Sequence, residues 1–224
     1  MGVVESMKDL IIFGNSNFSK LLKWYIDNDD QRKVVAFSTE KEYITDEYFE
    51  GVPVVAFDEL QVNYPPEQFD ILIGVGYRKM NDIRKRVYYS CKEKGYEIAS
   101  YFHSSSLIES KDLGEGNIIL EQSLVSPFVT LGNCNLIWNN VSIAHDGKIG
   151  DFNTISGMAG LAGNVTVKNN CFLGKSCVVS NHLTIHDYSL IGAAAFVGQD
   201  IAPYSVVAAT KSIILKEKKS TDFL

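Results

Sequence analysis

No run of the 224-residue chain is apolar for the length of a membrane-spanning helix. The first residues also lack the charged, apolar and cleavage regions of a secretory signal. Cysteine is scarce. Cys91, Cys134, Cys171 and Cys177 form no C-x-x-C pair, so neither a zinc knuckle nor a redox motif is indicated, and no metal is expected. A reducing cytoplasm is the simplest compartment. Basic charge is not in excess either: 21 Lys and Arg stand against 27 Asp and Glu, a formal charge of −6, and nucleic acid needs a basic face. Gly14-Asn15-Ser16-Asn17 lacks the G-x-G-x-x-G of nicotinamide-binding loops. Met1 to Ser6 do fit the loose N-myristoylation pattern at Gly2, a motif short enough to occur by chance. What is present is an ordinary globular composition, 46% hydrophobic and 21% charged, in a chain long enough for one large domain or two small ones.

Up to about residue 103 the chain alternates short apolar runs with helical patterns. Asp9 to Phe13 reads as a buried strand ending at Gly14, and Asn17 to Asn28 carries Phe18, Leu21, Leu22, Tyr25 and Ile26 at helical spacing. Val34–Phe37 and Asp70–Gly74 read as further strands. A basic amphipathic helix lies between Asn81 and Lys94, with Gly95 as its stop, and Tyr96 to Phe102 returns as a strand. This pattern predicts a small parallel, Rossmann-like α/β domain over 1–103, binding ligands at the carboxyl ends of its strands.

From Leu107 the period becomes six. Leu107, Leu113, Ile119, Val125, Leu131, Ile137, Ile143, Ile149, Ile155, Leu161, Val167, Leu173, Val179, Ile185, Ile191 and Val197 are sixteen consecutive sixth residues, all Leu, Ile or Val. If such residues fill about a quarter of positions, chance gives odds on the order of 10⁻¹⁰. Four positions later, small or β-branched residues recur (Ser123, Val129, Val141, Ala159, Val165, Cys171, Cys177, Ser189, Ala195), and Gly often follows the aliphatic, as at 114, 132, 150, 174 and 192. The physical reading is a solenoid of short parallel strands over 104–210, with three hexads per coil and each aliphatic stacked on its equivalent eighteen residues away. Cys171 and Cys177 then sit inside as structural residues. Residues 211–224 form a tail in which Lys211, Lys216, Lys218 and Lys219 are either solvated or close to a phosphate-bearing ligand.

The hexad array resembles the hexapeptide-repeat acyltransferases. With the front domain it is similar to the family that acetylates nucleotide-linked amino sugars, which includes the bacillosamine-pathway and perosamine N-acetyltransferases. The segments that carry this are Ile12–Asn17, Ile73–Asn81, Ile143-Ala144-His145-Asp146, Ala162-Gly163-Asn164-Val165 and Cys171–Gly174. The resemblance, and not the periodicity, implies a left-handed coil. It also implies a homotrimer with active sites between subunits, acetyl-CoA along the groove between two β-helices, and a nucleotide-linked amino sugar on the front domain. His145 matches the family's catalytic base, Asp146 takes the place of its acidic support, and Gly163 matches a glycine at the thioester. Thr154, Lys175 and Ala193 fall where the family contacts CoA. Ser16, Asn17 and Phe18, with Ser38 and Thr39, fall where the nucleotide sugar sits. The chain departs from its relatives in lacking a second histidine at Thr154 or Met158, in having Trp138 where one relative has asparagine, and in having Ser38-Thr39 where an acidic residue usually ends the second strand.

Read from the residues, His145 suits a general base because histidine as a residue type ordinarily changes charge near neutral pH. Adjacent strand residues point to opposite faces, so Asp146 reaches His145 only if the chain bends, and Gly147 is the expected bend. Position 145 should stack between Pro127 and Gly163, with Asn181 a coil further on. The glycine leaves a side-chain-free slot for a thioester against a bare N–H. Direct attack in a ternary complex is the expected mechanism. The residues leave open a hydroxyl acceptor, an acyl-carrier-protein donor and a non-catalytic scaffold. A zinc site of the γ-carbonic-anhydrase type from His145, His182 and His186 also stays open, although their spacing does not repeat by eighteen. Otherwise His182 and His186 read as exposed bystanders, and His103 as a structural residue at the domain junction.

Overall fold

The computed structural model describes residues 7–30 and 32–210. Gly2 and the basic tail lie outside them.

The front half forms around a five-stranded sheet of order β3-β4-β2-β1-β5. Its strands are β1 (Asp9–Phe13), β2 (Val34–Thr39), β3 (Tyr48–Phe49), β4 (Val52–Ala56) and β5 (Phe69–Ile73). All pairs are parallel except β3 with β4. Helix α1 (Asn17–Asp29) follows β1 and α3 (Asp82–Glu93) follows β5, as the apolar spacing requires, and the short α2 (Leu60–Asn63) follows β4. Gly95, with φ +84°, ends the last helix. β3, β4 and α2 are short, lack a clean period and carry no signal in the sequence. The sequence places Tyr101–Phe102 in the front sheet. That strand instead pairs with Ile118–Ile119 in the coil, and only Ile98 bridges back to Ile71 of β5.

Behind residue 100 the chain winds through two-residue strands that stack into three parallel sheets. Register confirms the eighteen-residue coil: Val125 lies beside Ile143, Ile143 beside Leu161 and Leu161 beside Val179. The column from Ile119 to Val197 is buried, together with the small residues of the corners, including Cys171 and Cys177. Burial pushes both of these thiols up to about 11, so they behave as small apolar residues. Glycines after the aliphatic residue permit tight stacking, since a Cβ on Gly114 would lie 2.7 Å from the Gly132 carbonyl oxygen.

One hexad position fails. Leu107 is 56% exposed, and it is Ile108 that pairs with Val125 and packs on the core. Residues 108 to 113 therefore close the first corner one residue short.

The outward strand residues give each face a different character. One face is polar (Asp112, Thr130, Lys148, Thr166, Thr184). A second presents Ile118, Leu136, Thr154, Phe172 and Leu190, and its first three are buried under the front domain. The third presents Leu124, Ser142, Gly160, Val178 and Phe196, of which Val178 and Phe196 are 48% and 69% exposed.

Ile155→Ala should cost about 2–5 kcal/mol in urea unfolding, whereas Leu107→Ala should cost less than about 0.5. A larger loss at Leu107 than at Ile155 would contradict the shifted register.

Candidate active site

At nearly every corner of the coil one residue adopts left-handed backbone, with φ 65° at Phe128, 58° at Asp146, 60° at Asn164 and 61° at His182. His145 stands just before such a residue, on the corner after Ser142–Ile143. The bend that turns Asp146 back is made by Asp146 itself, not by Gly147. Aspartate tolerates this conformation better than most residues. Its Oδ2 lies 2.8 Å from His145 Nδ1. With Nδ1–H donating to the carboxylate, Nε2 is left with its lone pair free. The two side chains are 62% and 49% exposed, open to a ligand.

One coil on, Asn164 N–H donates to the His145 carbonyl at 3.0 Å, which stacks Gly163 against His145. A Cβ on Gly163 would come within 2.8 Å of both Cε1 and Nε2 of the imidazole. The slot expected for a thioester is thus taken up by the imidazole ring, and the glycine is needed to let that ring lie there. Among the described residues no backbone carbonyl accepts from the Gly163 N–H. His182 follows on this corner, while His186 lies a strand away. No three His, Cys, Asp or Glu side chains gather as a metal site among the described residues.

Lys175 and Ala193 occupy the other edge of the same sheet, where strands begin rather than end. Ser176 N–H donates to the Gly157 carbonyl and Ala194 N–H to the Lys175 carbonyl, so Asn139, Gly157, Lys175 and Ala193 form one corner column. Lys175 is exposed and has no carboxylate partner among the described residues. A cleft of about 340 Å³ opens beside it, lined by Tyr77, Trp138, Asn139, Ser156, Gly157, Met158, Phe172 and Lys175. Tyr77 packs on Phe172 with centroids 5.0 Å apart, and Phe18 on Trp138 at 5.6 Å. The cleft therefore joins the front domain to the coil.

Thr154 does not belong to this exposed column. It is fully buried beneath the front domain, its Oγ1 donating to Asn81 Oδ1 at 2.7 Å and accepting from Arg84 Nη2 at 3.2 Å. The position assigned to CoA by resemblance is an inter-domain contact in this chain. The outward apolar series Ile118, Leu136, Phe172, repeating every eighteen residues around Thr154, was the sequence signal for this covered face.

In the front domain, Ser16 and Asn17 are exposed at the start of α1. Gly14 and Gly74 meet tightly there: Ser19 Oγ donates to the Gly74 carbonyl at 3.1 Å, and a Cβ on Gly74 would lie 2.7 Å from that hydroxyl oxygen. Ser38 is wholly buried, and Thr39 nearly so. As placed, neither offers a ligand an accessible side chain. Glu40 directly follows β2, and its Oε1 lies 2.8 Å from Arg86 Nη2. His103 is structural, its ring edge-on to Tyr25 at 5.5 Å.

An α/β sheet mounted on a coil of hexapeptide repeats, with a His–Asp pair on one corner and a cleft at the domain junction, defines the architectural class. The same architecture is found in the acetyltransferase domain of PglB from Neisseria gonorrhoeae bound to acetyl coenzyme A. That likeness has a TM-score of 0.76 and 21% identity, and it covers 87% of this chain and 92% of the other. It is also found in a variant of GDP-perosamine N-acetyltransferase from Caulobacter crescentus bound to CoA and GDP-perosamine, with a TM-score of 0.79, 20% identity, and coverage of 90% and 93%. By sequence the chain is 33% identical over 99 residues to an acyl-[acyl-carrier-protein]–UDP-N-acetylglucosamine O-acyltransferase from Aliivibrio fischeri. That match covers 41% of this chain and only 38% of the relative's length. No family model matches. The proteins it matches are acyl- and acetyltransferases, and the structural likeness establishes the fold.

Gly163→Ala should displace the imidazole and shift the His145 Cε1–H NMR resonance while leaving the coil folded by circular dichroism. An unmoved resonance would show that the ring does not lie over Gly163.

Proposed function

We propose that the protein transfers an acetyl group from acetyl-CoA to the amino group of a nucleotide-linked amino sugar. The observation that carries this is the exposed His145–Asp146 pair, set over Gly163 with Nδ1 held by the carboxylate. His145 takes a proton from the acceptor amine as its nitrogen attacks the thioester carbonyl. Asp146 holds the resulting imidazolium, and the backbone N–H of Gly163 is the proposed donor to the oxyanion. Collapse of the tetrahedral intermediate breaks the carbon–sulfur bond, and His145 returns its proton to the CoA thiolate. No enzyme-bound acyl intermediate is required.

Lys175 and Ala193 lie across a sheet from His145, so one chain does not bring them together. A second copy set against the face bearing Val178 and Phe196 would bring one subunit's histidine corner to the next subunit's lysine corner. Those exposed apolar residues, around the flat Gly160, favour such packing. We therefore propose a homotrimer, a left-handed coil, and acetyl-CoA in the groove between subunits with the exposed Lys175 toward its phosphates. The nucleotide sugar sits on the front domain, read as Rossmann-like over 1–103, near Ser16, Asn17 and Phe18. The coil domain is taken as 104–210 and the cytoplasm as the working compartment.

The O-acyltransferase relative favours a second reading, acylation of a sugar hydroxyl. The two readings separate by pH. His145→Ala should lower kcat by about 10²–10⁴ in a protein that remains trimeric by light scattering. An amine acceptor loses its own proton as pH rises, so residual activity should climb, whereas a hydroxyl gains nothing over the same range. Full activity of His145→Ala at neutral pH would exclude His145 as the base.

A further inference from the structure

The loop from Gly74 to Asn81 connects β5 to α3 in an unusual way. Lys79, Met80 and Asn81 have φ of 53°, 50° and 68°. Left-handed residues ordinarily occur singly, as they do at the coil's corners. Three in succession persist only where the surroundings over-determine them.

Here most of the polar fixed points lie in the coil. Asn81 Nδ2 donates to the Cys171 carbonyl at 3.1 Å, and its Oδ1 accepts from Thr154. Asn170 Nδ2 donates to the Met80 carbonyl and to Asp82 Oδ1, both at 3.1 Å, and Tyr188 OH donates to Asp82 at 2.9 Å. Arg84 closes the arrangement. Its Nη1 donates to the Gly76 carbonyl at 3.0 Å, Nε to the Cys134 carbonyl at 2.9 Å and Nη2 to the Asn153 carbonyl at 2.9 Å. The guanidinium is buried, and every hydrogen-bond acceptor around it is a neutral oxygen. An aliphatic side chain would serve mere packing without the cost of burying a charge. The planar fork of N–H donors joins carbonyls of the loop and of two coils in one fixed geometry.

We propose that Asn81, Arg84 and Thr154 are positioning residues that lock the 74–81 loop to the coil, so that the front domain presents its sugar substrate at a fixed place beside the acyl-transfer site. The loop carries Tyr77, which walls the inter-domain cleft on the side facing Trp138 and Lys175. Thr154 thereby serves the sugar side of the reaction and not the acyl donor. The substrate named here rests on the nucleotide-sugar reading, whereas the lock itself does not.

Asn81→Gly and Thr154→Val, each in the full-length protein, test this. Glycine keeps the left-handed backbone accessible while removing the side-chain tie, and valine keeps the shape of threonine without its hydroxyl. Without ligand, amides 75–82 should exchange hydrogen about ten-fold faster in Asn81→Gly, with coil amides unchanged. With substrates, KM for the nucleotide sugar should rise about ten-fold in Asn81→Gly and less in Thr154→Val, while KM for acetyl-CoA stays within about two-fold. Arg84→Lys, which keeps the charge but loses the fork, should raise the sugar KM as well. Unchanged loop exchange overturns the lock, and a rise in acetyl-CoA KM for Thr154→Val overturns its assignment to the sugar side. If the wild-type protein turns over no nucleotide sugar, the functional reading falls, and the exchange result alone then decides the lock.

Discussion

Eighteen residues close each inner turn of the coil, so a side chain there sits between equivalents directly above and below it. That stacking constraint governs the rest of the molecule. It demands an aliphatic residue at each inward position and a small one at each corner, and it places one left-handed residue at most corners. It also sets His145 over a position where only glycine leaves room for an imidazole. The site is thus a local use of a geometry that the whole coil already obeys.

The same constraint makes three faces with three fates. The face of Asp112, Thr130 and Lys148 meets water. The face of Ile118, Leu136 and Thr154 is buried by α1, α3 and the sheet between them. The remaining face carries the proposed base at one edge and the proposed cofactor corner at the other, with exposed apolar residues between. A division of labour follows in which the front domain is fixed to the coil and the open face is the one proposed to meet a second copy.

Much of this was legible in the sequence. The sixfold column named the inward residues from Ile119 to Val197 correctly, because a close-packed stack admits few alternatives. It failed at Leu107, where the first coil is shorter by one residue and no periodic rule records the slip. The His145–Asp146 contact was anticipated, but its bend was placed at Gly147, since in isolation glycine is the commoner left-handed residue. Thr154 misled because resemblance transfers a position and not its surroundings. The apolar outward series on either side of it shows that the face is covered. Buried Ser38 and Thr39 misled for a simpler reason: strand ends are uncertain by a residue or two. The buried Asn117, Asn135 and Asn153 were also overlooked. They pass hydrogen bonds from coil to coil inside one corner, where a search for aliphatic residues does not look.

The proposed reaction passes an acetyl group from CoA to a sugar amine. Incubating the protein with acetyl-labelled acetyl-CoA and a panel of nucleotide-linked amino sugars, followed by mass spectrometry of both substrates, tests it most directly. Label is expected on the amine of one sugar, with an equal amount of free CoA thiol released. Label on a hydroxyl, or no transfer to any amino sugar of the panel, would contradict it.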